Sequence, residues 1–467
     1  MRQKIVLYNP KTVFFTMPLG LLAIGSALDP ARYEVKIIDG RLVADPVAAV
    51  LEEIEDALCV GVTVLTGAPI EDALRVLRAV KAARPELPTI CGGWHPSLFP
   101  TAMLEEPSID VTVQAQGEVT FRELVSAVQS GVSLEGLTGT AYRDSDGPRL
   151  NPPRPMQDME SLPAPDYSLI PVEEYFRMKG VRQLDYITSV GCHFRCAFCA
   201  DPFVYGRKWN AIGPERLGAE LDMLQKRYAF TDVNFQDDTF FTYRKRVAGI
   251  AEEFLRRGLD CTWAATMRAD QGVRLTEEIF SLCVRSGLRR VLIGVESGSP
   301  RMLERIAKDT TVEQILQSAD LCARHGVAVM FSFIVGFPGE TDEDVMETVA
   351  LAKKLRRMNA NFDTPVFYYK PYPGSALANG VEADIPVDLD GWARFDFVQG
   401  MAGPWVSSAT YRFIERFKFY NRHVWSGKGV LRQPLGWLAR RRCEHDWYGL
   451  PLEKVLVERF RPEQRLS

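Results

Sequence analysis

The chain has 467 residues, of which 46% are hydrophobic and 25% are charged, and its net charge is −4. This composition is that of a globular protein of two or three domains, and it argues against nucleic acid as a partner. The first ten residues, MRQKIVLYNP, lack the apolar stretch of a signal peptide, and no apolar run reaches the length of a membrane span. We therefore expect a cytoplasmic protein.

The first part of the chain, to about residue 140, alternates short apolar segments with amphipathic ones. Five segments that end in turn residues are predicted to be strands: KIVLYNP, VKIIDG, CVGVTVLTG, PTICGG and VTVQAQGE. Between them apolar residues recur at every third or fourth position, as in DALRVLRAV, which predicts helices. This alternation predicts a doubly wound parallel sheet, in which ligands bind at the carboxyl ends of the strands.

Glycine and threonine gather at these carboxyl ends, where they allow a bulky ligand to approach the backbone. They are Thr63, Thr66, Gly67, Gly92, Gly93 and Gly117. No G-x-G-x-x-G motif follows the first strand, so we do not expect a dinucleotide. Together with PLG at 18–20, GGWHPS at 92–97 and QGE at 116–118, the arrangement resembles the cobalamin-binding domain fused to radical S-adenosylmethionine (AdoMet) enzymes. The resemblance implies a cobalamin site formed by Leu19, Gly20, Thr63, Thr66, Gly92, Gly93, Gly117 and Glu118.

This resemblance has one departure from the pattern of many cobalamin proteins. The D-x-H-x-x-G motif, whose histidine binds cobalt, is absent. The resemblance then implies a lower cobalt face without histidine, and we expect His95 near the nucleotide tail of the cofactor. The alternative is a sheet domain that has lost cobalamin and only supports the rest of the protein.

Residues 141–183 are rich in proline and acidic residues, and we predict that they form a connector on the surface. From residue 184 a second alternation of strands and helices begins. Its predicted strands are LDYITSVG, VNFQDD, CTWAATMR, RRVLIGVES, VAVMFSFIVG and TPVFYYKP.

Three cysteines follow the first of these strands in the segment GCHFRCAFC, namely Cys192, Cys196 and Cys199. Three thiolates on one tight loop can bind three irons of a [4Fe–4S] cluster and leave the fourth iron open to a small molecule. The alternatives are a zinc site that uses His193 as its fourth ligand, and a disulfide. No second C-x2-C pair follows, which disfavours zinc.

The C-x3-C-x2-C spacing is that of the radical AdoMet enzymes, which the chain resembles here. The resemblance implies that the open iron binds the amino and carboxylate groups of AdoMet, and that an electron donor such as flavodoxin or ferredoxin triggers cleavage to a 5′-deoxyadenosyl radical. It also implies that the strands after residue 184 form a partial (β/α)6 barrel of the TIM type. Phe198 is then the aromatic residue placed against adenine.

Several residues at the strand ends of this barrel match the family's AdoMet-binding positions. The resemblance implies that Asp237 and Asp238 bind the amino group, that Glu296 binds the ribose hydroxyls, and that Gly336 lies along the adenine. Arg268 is expected to pair with the methionine carboxylate or with an acidic substrate. The alternative for Asp238 is that it only caps the next helix.

From residue 411 to 467 the chain is basic, with 13 Lys and Arg against 6 Asp and Glu, and is rich in aromatic residues. We favour a helical cap that packs its aromatic side chains on the barrel over contact with a membrane surface. The predicted α/β chain thus has a Rossmann-like cobalamin-binding domain (1–140), a linker (141–183), a radical AdoMet barrel (184–375) and a small, mostly helical C-terminal region (376–467).

The combination of the two resemblances implies a cobalamin-dependent radical AdoMet enzyme that methylates an unactivated carbon of a small-molecule substrate. The first alternative is a cobalamin-using enzyme that cyclises, rearranges or oxidises rings without transferring a methyl group. The second is a cobalamin-free, cluster-bearing sensor or scaffold. Because the cofactors carry the radical chemistry, no protein general base is required, and the sequence offers no obvious catalytic histidine.

Overall fold

The computed structural model describes residues 2–378, 385–395, 403, 406–425 and 433–460, so the predicted C-terminal region lies partly outside the described residues. The chain forms two compact units. The first unit comprises Met1–Phe194, Cys199–Asp238 and Tyr372–Gln399. The second unit comprises Arg195–Phe198, Thr239–Pro371 and Gly400–Ser467.

The strands of the described residues are numbered in chain order. They are β1 (Gln3–Asn9), β2 (Tyr33–Asp39), β3 (Ala57–Thr63), β4 (Thr89–Gly92), β5 (Val111–Val113), β6 (Thr140–Asp144), β7 (Gly147–Leu150), β8 (Gln183–Tyr186), β9 (Ser189–Gly191), β10 (Trp209–Ala211), β11 (Asp232–Phe235), β12 (Thr262–Met267), β13 (Leu288–Glu296), β14 (Ala328–Val335), β15 (Phe362–Asp363) and β16 (Val366–Tyr368).

The α-helices of the described residues are numbered in the same way. They are α1 (Leu19–Ser26), α2 (Pro46–Leu51), α3 (Pro69–Ala83), α4 (Trp94–Leu98), α5 (Glu118–Ser130), α6 (Val172–Lys179), α7 (Asp201–Val204), α8 (Pro214–Tyr228), α9 (Arg244–Arg257), α10 (Ala269–Arg274), α11 (Glu277–Arg285), α12 (Pro300–Arg305), α13 (Val312–Arg324), α14 (Asp342–Met358), α15 (Leu389–Ala393), α16 (Ser408–His423), α17 (Gln433–Glu444) and α18 (Leu452–Phe460).

In the first unit a seven-stranded sheet has the order β2-β1-β3-β4-β5-β6-β7. Strands β1 to β5 are parallel, which confirms the predicted sheet, and β6 and β7 are antiparallel additions. The chain passes from β1 to β2 on one side and then to β3 on the other side. The carboxyl ends of β1 and β3 therefore form a topological switch point, where open α/β sheets bind their ligands.

The alternation of buried side chains along β1 builds a core on each face of this sheet. Ile5 and Leu7 pack with residues of α1 and α5 on one face. Val6 and Tyr8 pack with residues of α2 and α3 on the other face. Because both faces are covered by helices, the strand is an almost continuous apolar run.

The predicted connector, residues 141–183, has more regular structure than its composition indicates. Most of β6 and all of β7 fall in it and extend the sheet as a hairpin, and α6 follows. An Asp-Gly pair, Asp146-Gly147, lies at the turn and favours such a hairpin. Where the domains begin and end stays a prediction.

The remaining strands also confirm the predicted alternation. In the first unit β8 and β11 are parallel, while β9 and β10 form a short antiparallel pair that follows the strand β8. In the second unit β12, β13 and β14 are parallel neighbours, and both β15 and β16 pair with β14. Helices α13 and α14 begin with capping boxes at Thr311 and Thr341, which fix where each helix starts.

The described part of the C-terminal region is helical, as predicted, and forms α15 to α18. Phe417 and Tyr420 of α16 are fully buried, and both rings lie against Tyr448. This packing favours the helical cap. Within the described residues no helix combines the length and apolar character needed to cross a membrane.

Candidate functional site

A cavity of about 220 Å³ lies beside the carboxyl ends of β3, β4 and β5, within the first unit. Much of its wall is apolar, including Ile24, Val62, Ile90 and Phe121. Most of the predicted cobalamin-binding residues line it, namely Leu19, Gly20, Thr63, Gly92, Gly93, Gly117 and Glu118. The structure thus brings these residues together around one concave, mainly apolar site.

Two glycines shape this cavity for different reasons. Gly93 has φ +98°, and a Cβ atom there would lie 2.9 Å from the Thr63 hydroxyl, so a side chain would clash. A Cβ atom on Gly20 would meet nothing within 4 Å, because it would point into open space. Gly93 is therefore needed for the backbone itself, whereas Gly20 leaves room for a ligand.

Thr66 is not among the residues that line the cavity. Its hydroxyl oxygen lies 3.1 Å from Nδ1 of His95. His95 is fully buried against Phe99 and Trp392, and burial lowers its pKa to about 4, so the ring is neutral at physiological pH. Contact of His95 with a nucleotide tail, as predicted, would require this aromatic packing to open.

In the second unit, the Arg268 guanidinium holds the cysteine loop. Nη1 lies 3.5 Å from Sγ of Cys196, Nη2 donates to the carbonyl of Lys308 at 2.6 Å, and Nε donates to Asp270 at 2.8 Å. The N–H of Ala197 also donates to the carbonyl of Ile306 at 2.8 Å. Arg268 is thus engaged with the loop and its surroundings, and its contact with a methionine carboxylate stays a prediction.

Lys308 joins three of the predicted site residues, although sequence patterns did not single it out. Its Nζ lies 2.8 Å from Oε1 of Glu296, with both side chains buried, and 5.7 Å from the centre of the Phe198 ring. Its carbonyl is the acceptor for Arg268. In the sequence, Lys308 is a single lysine shortly after Ile306 and directly before Asp309. That signal is too weak to have identified it.

Glu296 lies at a β-bulge at the end of β13, with φ +65°. Such a backbone conformation is unfavourable for a residue with a Cβ atom, and bulges commonly redirect a side chain. The ion pair with Lys308 fixes the redirected carboxylate.

Gly336 also has a left-handed backbone, φ +81°, and a Cβ atom there would lie 2.7 Å from the Val406 side chain. Its N–H donates to the carboxylate of Glu340. Burial raises the pKa of Glu340 to about 7, although hydrogen bonds from Gly336 and Phe337 lower it. The turn after β14 is therefore closed by a carboxyl group that is easily protonated.

In the first unit the structure separates the roles of Asp237 and Asp238. Asp237 accepts hydrogen bonds from the N–H and hydroxyl of Thr188, at 2.7 and 2.5 Å, and from the hydroxyl of Ser189 at 2.5 Å. Both of its oxygens are used to fix the segment that precedes the cysteine loop. Asp237 thus has a structural role in this structure, and contact of either aspartate with AdoMet stays a prediction.

The Asp238 carboxylate is reachable by water, although protein surrounds it on most sides. Burial and the charge of Asp237 raise its pKa to about 6, while a hydrogen bond from the Gly191 backbone lowers it. The helical turn that follows has Thr239 at its N-cap and no side-chain cap bond. The alternative that Asp238 only caps the next helix is therefore wrong.

Asp201, the first residue of α7, was missed by the sequence analysis. Its side chain is only 4% exposed, and neither carboxylate oxygen accepts a hydrogen bond from the described residues. Burial and the charge of Asp238 raise its pKa to about 8. Its position directly after the cysteine loop was the signal that could have found it.

The three loop cysteines differ from the other thiols in exposure. Cys192, Cys196 and Cys199 are half-buried. Cys59, Cys91, Cys283, Cys322 and Cys443 are buried, and burial raises their pKa. Cys261 is half-buried and precedes β12 rather than lying within it.

The donor set of the loop fits an iron–sulfur cluster in two respects. Its thiols are accessible, and an N–H group of Arg268 points to one of them, as in the hydrogen bonds that tune clusters. In the described ranges, no three His, Cys, Asp or Glu side chains are arranged to hold a metal ion. The assignment of these cysteines as cluster ligands stays a prediction.

Comparison with known proteins assigns two families to the chain. Residues 7–125 match the B12 binding domain, and residues 186–352 match the Radical SAM superfamily. A protein named uncharacterized methyltransferase PH0819, from Pyrococcus horikoshii, is 34% identical over 365 residues, which cover 77% of both chains. The anaerobic magnesium-protoporphyrin IX monomethyl ester cyclase of Rubrivivax gelatinosus is 28% identical over 385 residues, covering 80% of this chain and 67% of the cyclase.

A solved structure has the same fold over most of the chain. It is the radical AdoMet methyltransferase TsrM from Kitasatospora setae, with cobalamin and a [4Fe–4S] cluster bound. The TM-score is 0.69 at 20% identity, with 85% of this chain and 82% of that chain covered. At this identity the likeness concerns the fold alone.

Substitution of Gly20 tests whether the cavity holds cobalamin. We expect Gly20→Leu to reduce bound cobalamin at least about tenfold without loss of thermal stability, because leucine favours a helix and its side chain enters open space. Absorbance of the protein after reconstitution with hydroxocobalamin measures the bound fraction. Ala82→Leu, on the exposed face of α3, is the matched control and should bind cobalamin normally. Full cobalamin content in Gly20→Leu would contradict the assignment.

Substitution of Lys308 tests the buried ion pair. Lys308→Met leaves the Glu296 carboxylate buried without a counter-charge, and we expect a loss of about 3–5 kcal/mol in the free energy of unfolding. The double variant Lys308→Met/Glu296→Gln should recover part of this loss, because the unpaired charge is gone. Anaerobic urea titration gives the values. Lys226→Met removes an exposed pair with Asp222 and should cost less than about 1 kcal/mol.

Glu340 should make stability depend on pH. Its pKa is raised in the folded protein to about 7, so the folded state holds a proton that the unfolded state has lost. Stability should therefore fall as pH rises from about 4.5 to about 7, and then level off. The melting temperature of Glu340→Gln should fall less across this range than that of the parent protein. Parallel pH curves for the two proteins would show that Glu340 does not titrate as described.

Proposed function

Because this chain belongs to the family of cobalamin-binding radical AdoMet enzymes, we propose that it methylates an unactivated carbon of a small molecule. The cavity beside the carboxyl ends of β3, β4 and β5 carries this proposal, because it unites most of the residues expected to bind cobalamin. The similarity to a named methyltransferase over 77% of the chain supports it further.

In this proposal, the bound cofactors supply a 5′-deoxyadenosyl radical and a methyl group. Cys192, Cys196 and Cys199 hold the cluster. Arg268 donates a hydrogen bond to the Cys196 sulfur, which raises the reduction potential of a cluster bound there. A low-potential donor such as flavodoxin or ferredoxin then reduces it.

Other residues of the chain orient the cofactors. Phe198 and Gly336 would contact the adenine of AdoMet, Glu296 would accept hydrogen bonds from its ribose, and Asp238 would accept them from its amino group. The apolar walls of the cavity would exclude water from a cobalamin bound there, which would supply the methyl group. The five buried thiols of the described residues suit a reducing, cytoplasmic setting.

Ring formation without methyl transfer is a second candidate. The similarity to the Rubrivivax gelatinosus cyclase, at 28% identity over 80% of this chain, favours it. Both reactions begin with hydrogen abstraction from carbon, so the residues around AdoMet would serve either of them.

The proposal is tested by anaerobic reconstitution with iron, sulfide and methylcobalamin, followed by reaction with AdoMet, a strong reductant and an extract of small metabolites. We expect a product heavier by one methylene unit, together with 5′-deoxyadenosine and S-adenosylhomocysteine. Cys196→Ala is expected to abolish all three, and Asp222→Asn, a surface change, none of them.

The other outcomes separate the alternatives. A product that has lost hydrogens, formed without S-adenosylhomocysteine, would support ring chemistry and refute methyl transfer. Failure to form any 5′-deoxyadenosine with an intact cluster would support a sensor or scaffold.

A further inference from the structure

We propose that Asp201 and Asp238 together bind the amino group of AdoMet, with Asp201 as a second carboxylate acceptor. This inference rests on the proposed function and deepens it. The carrying observation is the buried Asp201 side chain, whose two oxygens lack a hydrogen-bond donor among the described residues. A buried carboxylate without donors is costly, so such a group indicates a ligand that supplies them.

The chain itself places both carboxylates beside the cysteine loop. Asp201 follows Cys199 by two residues, which keeps their Cα atoms within about 7 Å. Asp238 accepts a hydrogen bond from the backbone of Gly191, the residue before Cys192. The two carboxylates thus lie near opposite ends of the loop. They are close enough to each other for their negative charges to repel.

Asp237 explains why the adjacent carboxylate is available. It uses its oxygens on Thr188 and Ser189, which fixes the end of β11 against the segment before the loop. Asp238 is thereby held in place by its neighbour, and its own carboxylate accepts a hydrogen bond from the Gly191 backbone. The pair Asp201 and Asp238 then remains as two neighbouring carboxyl groups, close to the predicted cluster ligands.

The ligand that fits is a group with several N–H donors and positive character. The amino group of AdoMet has these properties both as a free ammonium group and when it coordinates iron, since its N–H bonds remain. The covalent link to Cys199 keeps Asp201 close to the cluster, where that amino group binds. The amino group of a substrate is not held at the cluster in this way.

The structural role of Asp237 explains why a second acceptor for the amino group is useful here. With Asp237 committed to the fold, Asp238 alone would have to orient the amino group. Two acceptors fix its direction, whereas one acceptor leaves it free to rotate.

The test compares AdoMet with its deamino analogue, in which the amino group is replaced by hydrogen. Affinities are measured anaerobically by equilibrium dialysis against the reconstituted protein, without turnover. We expect Asp201→Asn to weaken AdoMet binding by about tenfold to hundredfold, as for loss of a charged hydrogen bond, and to leave binding of the deamino analogue unchanged. Asp201→Glu should restore part of the affinity, and Asp222→Asn should behave as the parent protein with both probes.

A second readout is the electron paramagnetic resonance spectrum of the reduced cluster, which should change on addition of AdoMet in the parent protein and less so in Asp201→Asn. Equal affinities of Asp201→Asn and the parent protein for AdoMet would overturn the inference. So would equal losses for the two probes, which would indicate a general disturbance. If iron analysis shows that Asp201→Asn has lost its cluster, Asp201→Ser and Asp238→Asn go through the same comparison and are judged by the same criterion.

Failure of the proposed function has a different signature. A parent protein that binds AdoMet in this way but forms no methylated product refutes methyl transfer and leaves the carboxylate pair intact. A protein that methylates its substrate while Asp201→Asn binds both probes normally refutes only the inference about Asp201.

Discussion

The predicted site in the second unit depends on the hydrogen bonds that the Arg268 guanidinium donates. It is buried, and its N–H groups reach the Cys196 sulfur, the Lys308 carbonyl and the Asp270 carboxylate. Because a guanidinium is planar and always charged, these contacts hold one geometry at any pH that the protein meets. Through Lys308 the same network reaches Glu296 and the Phe198 ring. These contacts thereby fix the cysteine loop to the ends of β12 and β13.

Much of this arrangement could be predicted from the sequence because parallel strands place their carboxyl ends at one edge. Periodicity located β1 to β5 and the later strands, and the residues after them were then neighbours by topology. The cavity residues Gly20, Gly93 and Gly117 were found in this way. Thr66 was expected with them, yet its hydroxyl contacts His95 and the residue does not line the cavity.

What could not be predicted depends on contacts distant in sequence. Lys308 is significant only because a bulge turns Glu296 toward it, and no local pattern announces the bulge. Asp237 and Asp238 look alike as neighbours in the sequence, and only the donors Thr188 and Ser189 distinguish the structural carboxylate from the accessible one. The hairpin of β6 and β7 was missed because proline and charge dominate the composition around it.

The left-handed backbone of Glu296 carries a conformational cost that its ion pair with Lys308 outweighs. A glycine there would relieve about 1–2 kcal/mol of backbone strain, but it would remove the carboxylate and leave the Lys308 ammonium buried without a counter-charge, which costs about 3–5 kcal/mol. Valine and isoleucine are unsuitable, because branching at Cβ makes that conformation worse. Stability and function therefore favour the same residue at the end of β13. Gains in heat resistance would have to come from elsewhere in the chain.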